Sequence, residues 1–373
     1  MIYITPPLKN KIIFCLPDLK VIGGIENALC ETISALKAKN IFEISVIVFS
    51  KSIHPRYKEF FKISGINFVD ASEKENLPKF IRKHLRRYKV RQCLRQQDVI
   101  VDYKYTASYT FYKKVNRPKI CWIHCGFNLF KNQLDANFLS KYDKVICLSN
   151  NIVQEIKDNY SILEKKVTKI YNPINCENIL HKSNEVTFQT DGRYFVAVQR
   201  LDPQEKDLDT VIRAFNIFAK SNKEIKLYIV GGGSIEYTEY LKRLSETDRI
   251  IFTGELNNPY DIIKNAEALI LSSTKEVGEG LPMALLEAQV LETLCISSNV
   301  KSGPPEVLMN GKAGLLFEQG NSEELSKIMT DVINGTINSA QMINCAKESL
   351  SRFSSNNSAD DFIRVIEELN LHK

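Results

Sequence analysis

The chain has 373 residues, 44% of them apolar and 25% charged, a balance that suits a folded soluble protein and excludes disorder, collagen and coiled coil. That length is too great for one ordinary domain and comfortable for two. The net charge of +6 hides a split: up to Ile174 there are 30 Lys and Arg against 15 Asp and Glu, and after it 20 against 29. Such asymmetry points to two domains with different partners. The longest apolar runs, such as Ile44–Phe49, are too short to span a bilayer. The N-terminus shows no charged leader followed by an apolar core, and the nine cysteines contain no CxxC pair. No secretory signal is therefore expected, and the thiols are expected to be reduced, in the cytoplasm.

In chain order, short apolar runs alternate with amphipathic stretches. KIIFCL, ISVIVF, INFV, VIVD, KICWIH, KVICLS and VTKIY read as strands of the first half. RYFVAVQ, KLYIV, RIIFTG, EALILSS and TLCIS read as strands of the second. Helices are expected between them, including 25–39, 210–220 and 283–291. This alternation predicts two parallel sheets covered by helices on both faces, an α/β architecture of two doubly wound domains. Pro173 in YNPIN marks the joint, which gives domains at 1–172 and 173–357, with a last helix at 358–371 as a candidate to pack back on the first.

One segment of the first half, 78–97, carries eight Lys and Arg and no acid. Phe80, Ile81, Leu85, Tyr88 and Cys93 form its apolar stripe. Two readings stand: a basic amphipathic helix that meets an anionic membrane surface, or a solvated helix whose stripe faces the core. No nucleic-acid motif accompanies it, and no nucleic-acid partner is expected.

In doubly wound sheets ligands bind beyond the carboxyl ends of strands, so the strand-to-helix turns are the informative segments. Gly23-Gly24-Ile25-Glu26 offers close backbone approach and a helix N-terminus. Arg200 to Lys206 (RLDPQEK) puts two cations before a helix, as a diphosphate needs. Asp207 and Asp209, a DxD string, read as helix N-terminal acids. Gly231-Gly232-Gly233 is a further phosphate cradle or a plain loop. In EGLPMALLEA, Glu279 precedes a helix that Pro282 helps to start, and Glu287 lies inside it among apolar residues, where a carboxylate is costly unless bonded. Paired carboxylates also suit a glycosidase. His124 ends the KICWIH strand as a donor or acid–base group, or as an ordinary core histidine. A zinc site from Cys121, His124 and Cys125 is rejected for want of a second ligand pair. Ser302-Gly303-Pro304-Pro305-Glu306 supplies more amides for phosphate.

The ordered set GGIE, WIH, YNPI, RLDPQEK, IVGGG, EGLPMALLEA and SGPPE resembles the retaining glycosyltransferases of family four, over nearly the whole chain. The resemblance implies the GT-B fold, two Rossmann-like domains facing across a cleft. It implies that Arg200 and Lys206 neutralise the donor diphosphate, Glu287 holds the ribose hydroxyls, Glu279 faces the donor sugar and His124 stands near the reacting end. Gly23, Gly24, Gly232, Gly280, Leu281, Pro282, Met283, Gly303 and Glu306 complete the nucleotide-sugar contacts it implies. It implies no metal and no cofactor; a UDP-sugar is the co-substrate and a glycan or lipid-linked molecule the acceptor, in surface polysaccharide or lipooligosaccharide assembly at the inner face of the cytoplasmic membrane. Two departures stand out. The Arg200–Lys206 spacing is one residue longer than the commoner pattern, and the longer stretch before Glu279 makes Glu276 a competitor for a sugar contact. Competing readings are a sugar-nucleotide epimerase of similar shape and a non-catalytic sugar-binding protein.

Overall fold

The computed structural model describes residues 9–20, 23–50, 53–71, 79–104, 109–124, 136–274, 279–369 and 371. Glu276, Cys125 and Pro78 lie outside the described residues. In the first lobe the strands are β1 (Asn10–Leu16), β2 (Phe42–Val48), β3 (Asn67–Asp70), β4 (Val99–Asp102), β5 (Lys119–Trp122), β6 (Lys144–Cys147) and β7 (Val167–Lys169). They form one sheet in the order β3-β2-β1-β4-β5-β6-β7. In the second lobe β8 (Tyr194–Val198), β9 (Lys226–Val230), β10 (Ile250–Gly254), β11 (Ala268–Leu271), β12 (Cys295–Ser298) and β13 (Leu315–Phe317) form a sheet in the order β10-β9-β8-β11-β12-β13. Each of these pairings is parallel. The molecule is thus an α/β protein of two Rossmann-like sheets, as the alternating runs predict.

The apolar runs are nearly continuous because both faces of each sheet are covered. Side chains alternate across the sheet with period two. Ile12, Phe14 and Leu16 enter one core with Val99, Val101 and Trp122, while Ile13 and Cys15 enter a second with Ile100, Cys121 and Cys147. The first of these cores continues into the second lobe through Leu285, Leu286, Leu269 and Val196, so apolar packing runs unbroken between the lobes.

One strand expectation needs correction, and one strand was not expected. The ladder of KICWIH ends at Trp122, so His124 stands two residues beyond it. The short strand β13 carries no long apolar run, and its pairing on β12 supplies what its sequence does not announce. The helix Ser355–Glu368 lies against the first lobe. Its Phe362 ring stacks at 5.7 Å on Trp122 and at 6.2 Å on Phe14, and Asp360 pairs with Lys39 at 2.6 Å.

In the basic helix Lys79–Arg95, Val90 and Leu94 face the core, and Arg86 donates to the carbonyls of Ala71 and Phe49. Phe80, Leu85 and Tyr88 are 72%, 44% and 63% exposed, so these three of the stripe do not face the core, whereas Cys93 packs against it.

Candidate active site

Each sheet order reverses at one place, between β1 and β4 in the first lobe and between β8 and β11 in the second, and ligands of such sheets bind at the carboxyl ends there. The sequence motifs converge on these two places.

On the second lobe, Arg200 and Lys206 leave β8. The backbone of this loop is fixed by its neighbours: Leu201 N donates to Gly232 O at 2.8 Å, Gln199 N to Val230 O at 3.0 Å and Asp207 N to Ser272 O at 3.1 Å. Gly231–Gly233 therefore support the Arg200 segment. The Arg200 guanidinium pairs with Glu205, within the lengthened Arg200–Lys206 loop, and remains 68% exposed. Lys206 pairs with Glu279, each side chain only 13% exposed. Ser273 Oγ donates to the same Glu279 oxygen at 2.5 Å, and Ser302 Oγ donates to the Glu279 carbonyl at 2.6 Å. Asp207 caps the helix Leu208–Ala219, accepting from Thr210 N at 3.1 Å.

Gly303 closes this pocket. Its φ is +83°, and a β-carbon there would stand 2.7 Å from the Glu279 β-carbon, so only glycine fits without displacing Glu279. Gly280, Leu281 and Pro282 are buried, and the helix Met283–Val290 starts one residue later than Pro at the first position would give, with Pro282 as its N-cap.

Glu287, in that helix, has different surroundings. Burial pushes its carboxyl up to about 7, and the Tyr260 hydroxyl, donating at 3.4 Å, opposes this only in part. Tyr260 in turn feels Arg56 and Glu31 of the first lobe, so this corner faces the interlobe crevice.

On the first lobe, Gly23 caps the helix Gly24–Ala38. A β-carbon at Gly24 would lie 3.3 Å from Met283 Cγ, which places the GGIE turn and the EGLPM turn in contact across the crevice. Behind it, Glu26 is buried and receives Lys104 Nζ at 2.9 Å, with Asp18 at 3.7 Å from the same ammonium. His124 packs 4.4 Å from the Tyr103 ring. Burial and then the Lys104 charge push the imidazole down to about 3, while a backbone acceptor at Tyr103 opposes them weakly. Neither ring nitrogen makes a hydrogen bond of ordinary geometry among the described residues. His124 is therefore neutral at working pH, a donor or acceptor rather than a cation.

The Glu306 side chain joins the two lobes. Its carboxylate accepts from Asn150 N at 2.7 Å, from Asn150 Nδ2 at 2.9 Å and from the Tyr171 hydroxyl, all of the first lobe. The short helix Pro304–Val307 turns this side chain toward the N-terminus of the helix Asn150–Asn159. Lys104, Asp18, Ser273, Glu205 and Tyr260 went unassigned from sequence. Only Glu205 carried a signal, its place in the loop whose spacing is one residue long.

The model of the glycosyltransferase family 4 matches residues 22–178, and that of glycosyl transferases group 1 matches residues 179–349. The N-acetylgalactosamine-N,N'-diacetylbacillosaminyl-diphospho-undecaprenol 4-alpha-N-acetylgalactosaminyltransferase of Campylobacter jejuni is 24% identical over 81% of this chain and 85% of its own. The lipopolysaccharide 1,6-galactosyltransferase of Salmonella typhimurium is 27% identical over 58% of each chain. Anabaena HepE, solved with UDP and glucose, superposes with a TM-score of 0.76 at 18% identity, covering 95% of this chain and 99% of that one. These matches do not favour the epimerase or the sugar-binding reading. Consecutive models over 22–349, two sheets of GT-B type and motifs gathered on one crevice lead to one conclusion: the chain belongs to glycosyltransferase family four and is a glycosyltransferase.

Proposed function

We propose that the protein transfers a hexose or N-acetylhexosamine from a UDP-sugar, with retention at the anomeric carbon, to a glycan or lipid-linked acceptor of a bacterial surface polysaccharide or lipooligosaccharide. The observation that carries this reading is the Lys206–Glu279 pair beside Gly303, beneath the Gly24–Met283 contact. A donor entering there meets a cation for its diphosphate and a carboxylate for its sugar hydroxyls at one point. The donor diphosphate would take the Lys206 ammonium from Glu279, leaving that carboxylate to accept from the sugar.

As the glycosidic bond breaks, negative charge grows on the departing diphosphate. Arg200, Lys206 and the amides near Gly24 and Met283 would stabilise it in a crevice that excludes water. Glu287 would hold the ribose, and neutral His124 would bond a sugar hydroxyl near the reacting carbon. No metal and no protein base is assigned a role. The Campylobacter relative, a diphospho-undecaprenol N-acetylgalactosaminyltransferase, and the Salmonella relative, a lipopolysaccharide galactosyltransferase, support the acceptor class.

The exposed Phe80, Leu85 and Tyr88 on a helix rich in Lys and Arg support work at an anionic membrane, at the inner face of the cytoplasmic membrane. Binding to phosphatidylglycerol vesicles that is lost in high salt and weakened by Phe80→Ser with Tyr88→Ser is expected. Equal binding to neutral vesicles would remove this part.

The direct test is a thermal-shift panel of nucleotide sugars, followed by mass and NMR analysis of products from lipid-linked and lipooligosaccharide acceptors. UDP-sugars are expected to raise Tm and to give an axial product. A chain stabilised by no nucleotide sugar would sink the proposal.

A further inference from the structure

We propose that Glu306 is a positioning residue: it latches the donor lobe to the first lobe, and through the 302–306 segment it sets where Glu279 stands. The inference rests on the reading that Glu279 faces the donor sugar.

Three donors meet the Glu306 carboxylate, and all come from first-lobe elements. Two of them belong to Asn150, which opens the helix Asn150–Asn159 behind its Ser149 cap, so the anion also sits at a helix N-terminus. The latch has flanks. Asn151 Nδ2 donates to Lys301 O at 2.9 Å, and Lys301 Nζ lies 2.6 Å from Glu155. Arg352 Nη1 donates to the Glu306 carbonyl at 3.3 Å, which ties the same turn to the chain's return toward the first lobe.

The other end of this segment grips the sugar-facing acid. Ser302 Oγ bonds the Glu279 carbonyl at 2.6 Å, and Gly303 leaves no room against the Glu279 β-carbon. Residues 302–306 thus form a short strut with one end on the first lobe and the other on Glu279. A carboxylate with three donors holds direction well, because each charge-assisted bond constrains it separately. Loss of the latch leaves each lobe intact but frees their mutual placement, and reactions that need groups from both lobes are sensitive to displacements near 1 Å.

The test uses the full chain with Glu306→Ala, Glu306→Gln, Asn150→Ala and the Glu306→Ala/Asn150→Ala double variant. Transfer kcat is expected to fall about tenfold in each alanine variant, and the double variant to be no worse than the poorer single one. Glu306→Gln, which keeps an acceptor oxygen, is expected to recover part of the loss. UDP affinity by calorimetry is expected to stay within about twofold, since the donor lobe is intact. A fivefold loss of UDP affinity in Glu306→Gln would make Glu306 a donor ligand and overturn the latch. An unchanged kcat in Asn150→Ala would also overturn it. If wild-type chain transfers no sugar, the functional reading fails by itself, and the latch is still tested by a fluorophore pair across the lobes. Wild-type chain should then give a narrow distance distribution that Glu306→Ala and Asn150→Ala both broaden; unchanged width would reject the latch.

Discussion

Glu279 and Glu287 belong to one motif, yet their surroundings are opposed. Glu279 is held by an ammonium, a serine hydroxyl and the Gly303 wall. Glu287 has burial, one long hydroxyl contact and a carboxyl raised to about 7. The first is a finished arrangement that a ligand must reopen. The second is an unfinished one, in which a half-buried acid has one long donor until a ligand supplies more. The difference teaches that spacing in sequence says which acids share a site, and solvation says how each is used.

The comparison breaks most sharply at Lys206. Lys206→Ala is expected to lower transfer kcat by two to three powers of ten, about 3 kcal/mol in the barrier, with a smaller loss of Tm. A variant with near-normal turnover would leave the Glu279 pair without a part in the reaction.

Glu287→Gln tests the other side. Between the ordinary value of 4.5 and about 7, the folded chain retains a proton that the unfolded chain has released. This group therefore costs stability as pH rises through that window, and the cost is complete above it. The variant is expected to gain about 3 kcal/mol at pH 8 and almost nothing at pH 4.5, read from thermal unfolding, while its affinity for UDP falls. An equal gain at both pH values would reject the desolvation account, and unchanged UDP affinity would reject the ribose role.

Tyr260→Phe has the smallest expected effect. The 3.4 Å contact is long, so its loss is expected to cost under about 1 kcal/mol. Because that hydroxyl lowers the Glu287 pKa, its removal should push the pH midpoint of the stability change upward. A downward shift would show that Tyr260 acts through something other than this bond.

Much of this was legible in the chain itself. Apolar runs such as KIIFCL and KLYIV name their strands because parallel strands are buried on both faces. Arg200, Lys206, Glu279 and Glu287 were visible because they sit in turns between such runs. Lys104 was not: one lysine after VIVDY has no partner in sequence, and its meaning comes from Asp18 in the loop after β1 and Glu26 in the first turn of the helix Gly24–Ala38. The partners of the Glu306 carboxylate were hidden for the same reason: its donors at Asn150 and Tyr171 are distant in the chain and close only in space. β13 escaped notice because a three-residue strand is defined by the edge it joins.

The helix Ser355–Glu368 has a consequence for how the protein can be divided. The polypeptide crosses the boundary between lobes twice, near Ile174 and again at Phe353, where Ile174 N donates to Phe353 O at 2.9 Å. Phe362 then covers rings of Phe14, Phe42 and Trp122. A gene fragment ending at the joint would bare an aromatic surface and self-associate, whereas one carrying the final helix on a short tether would keep it covered.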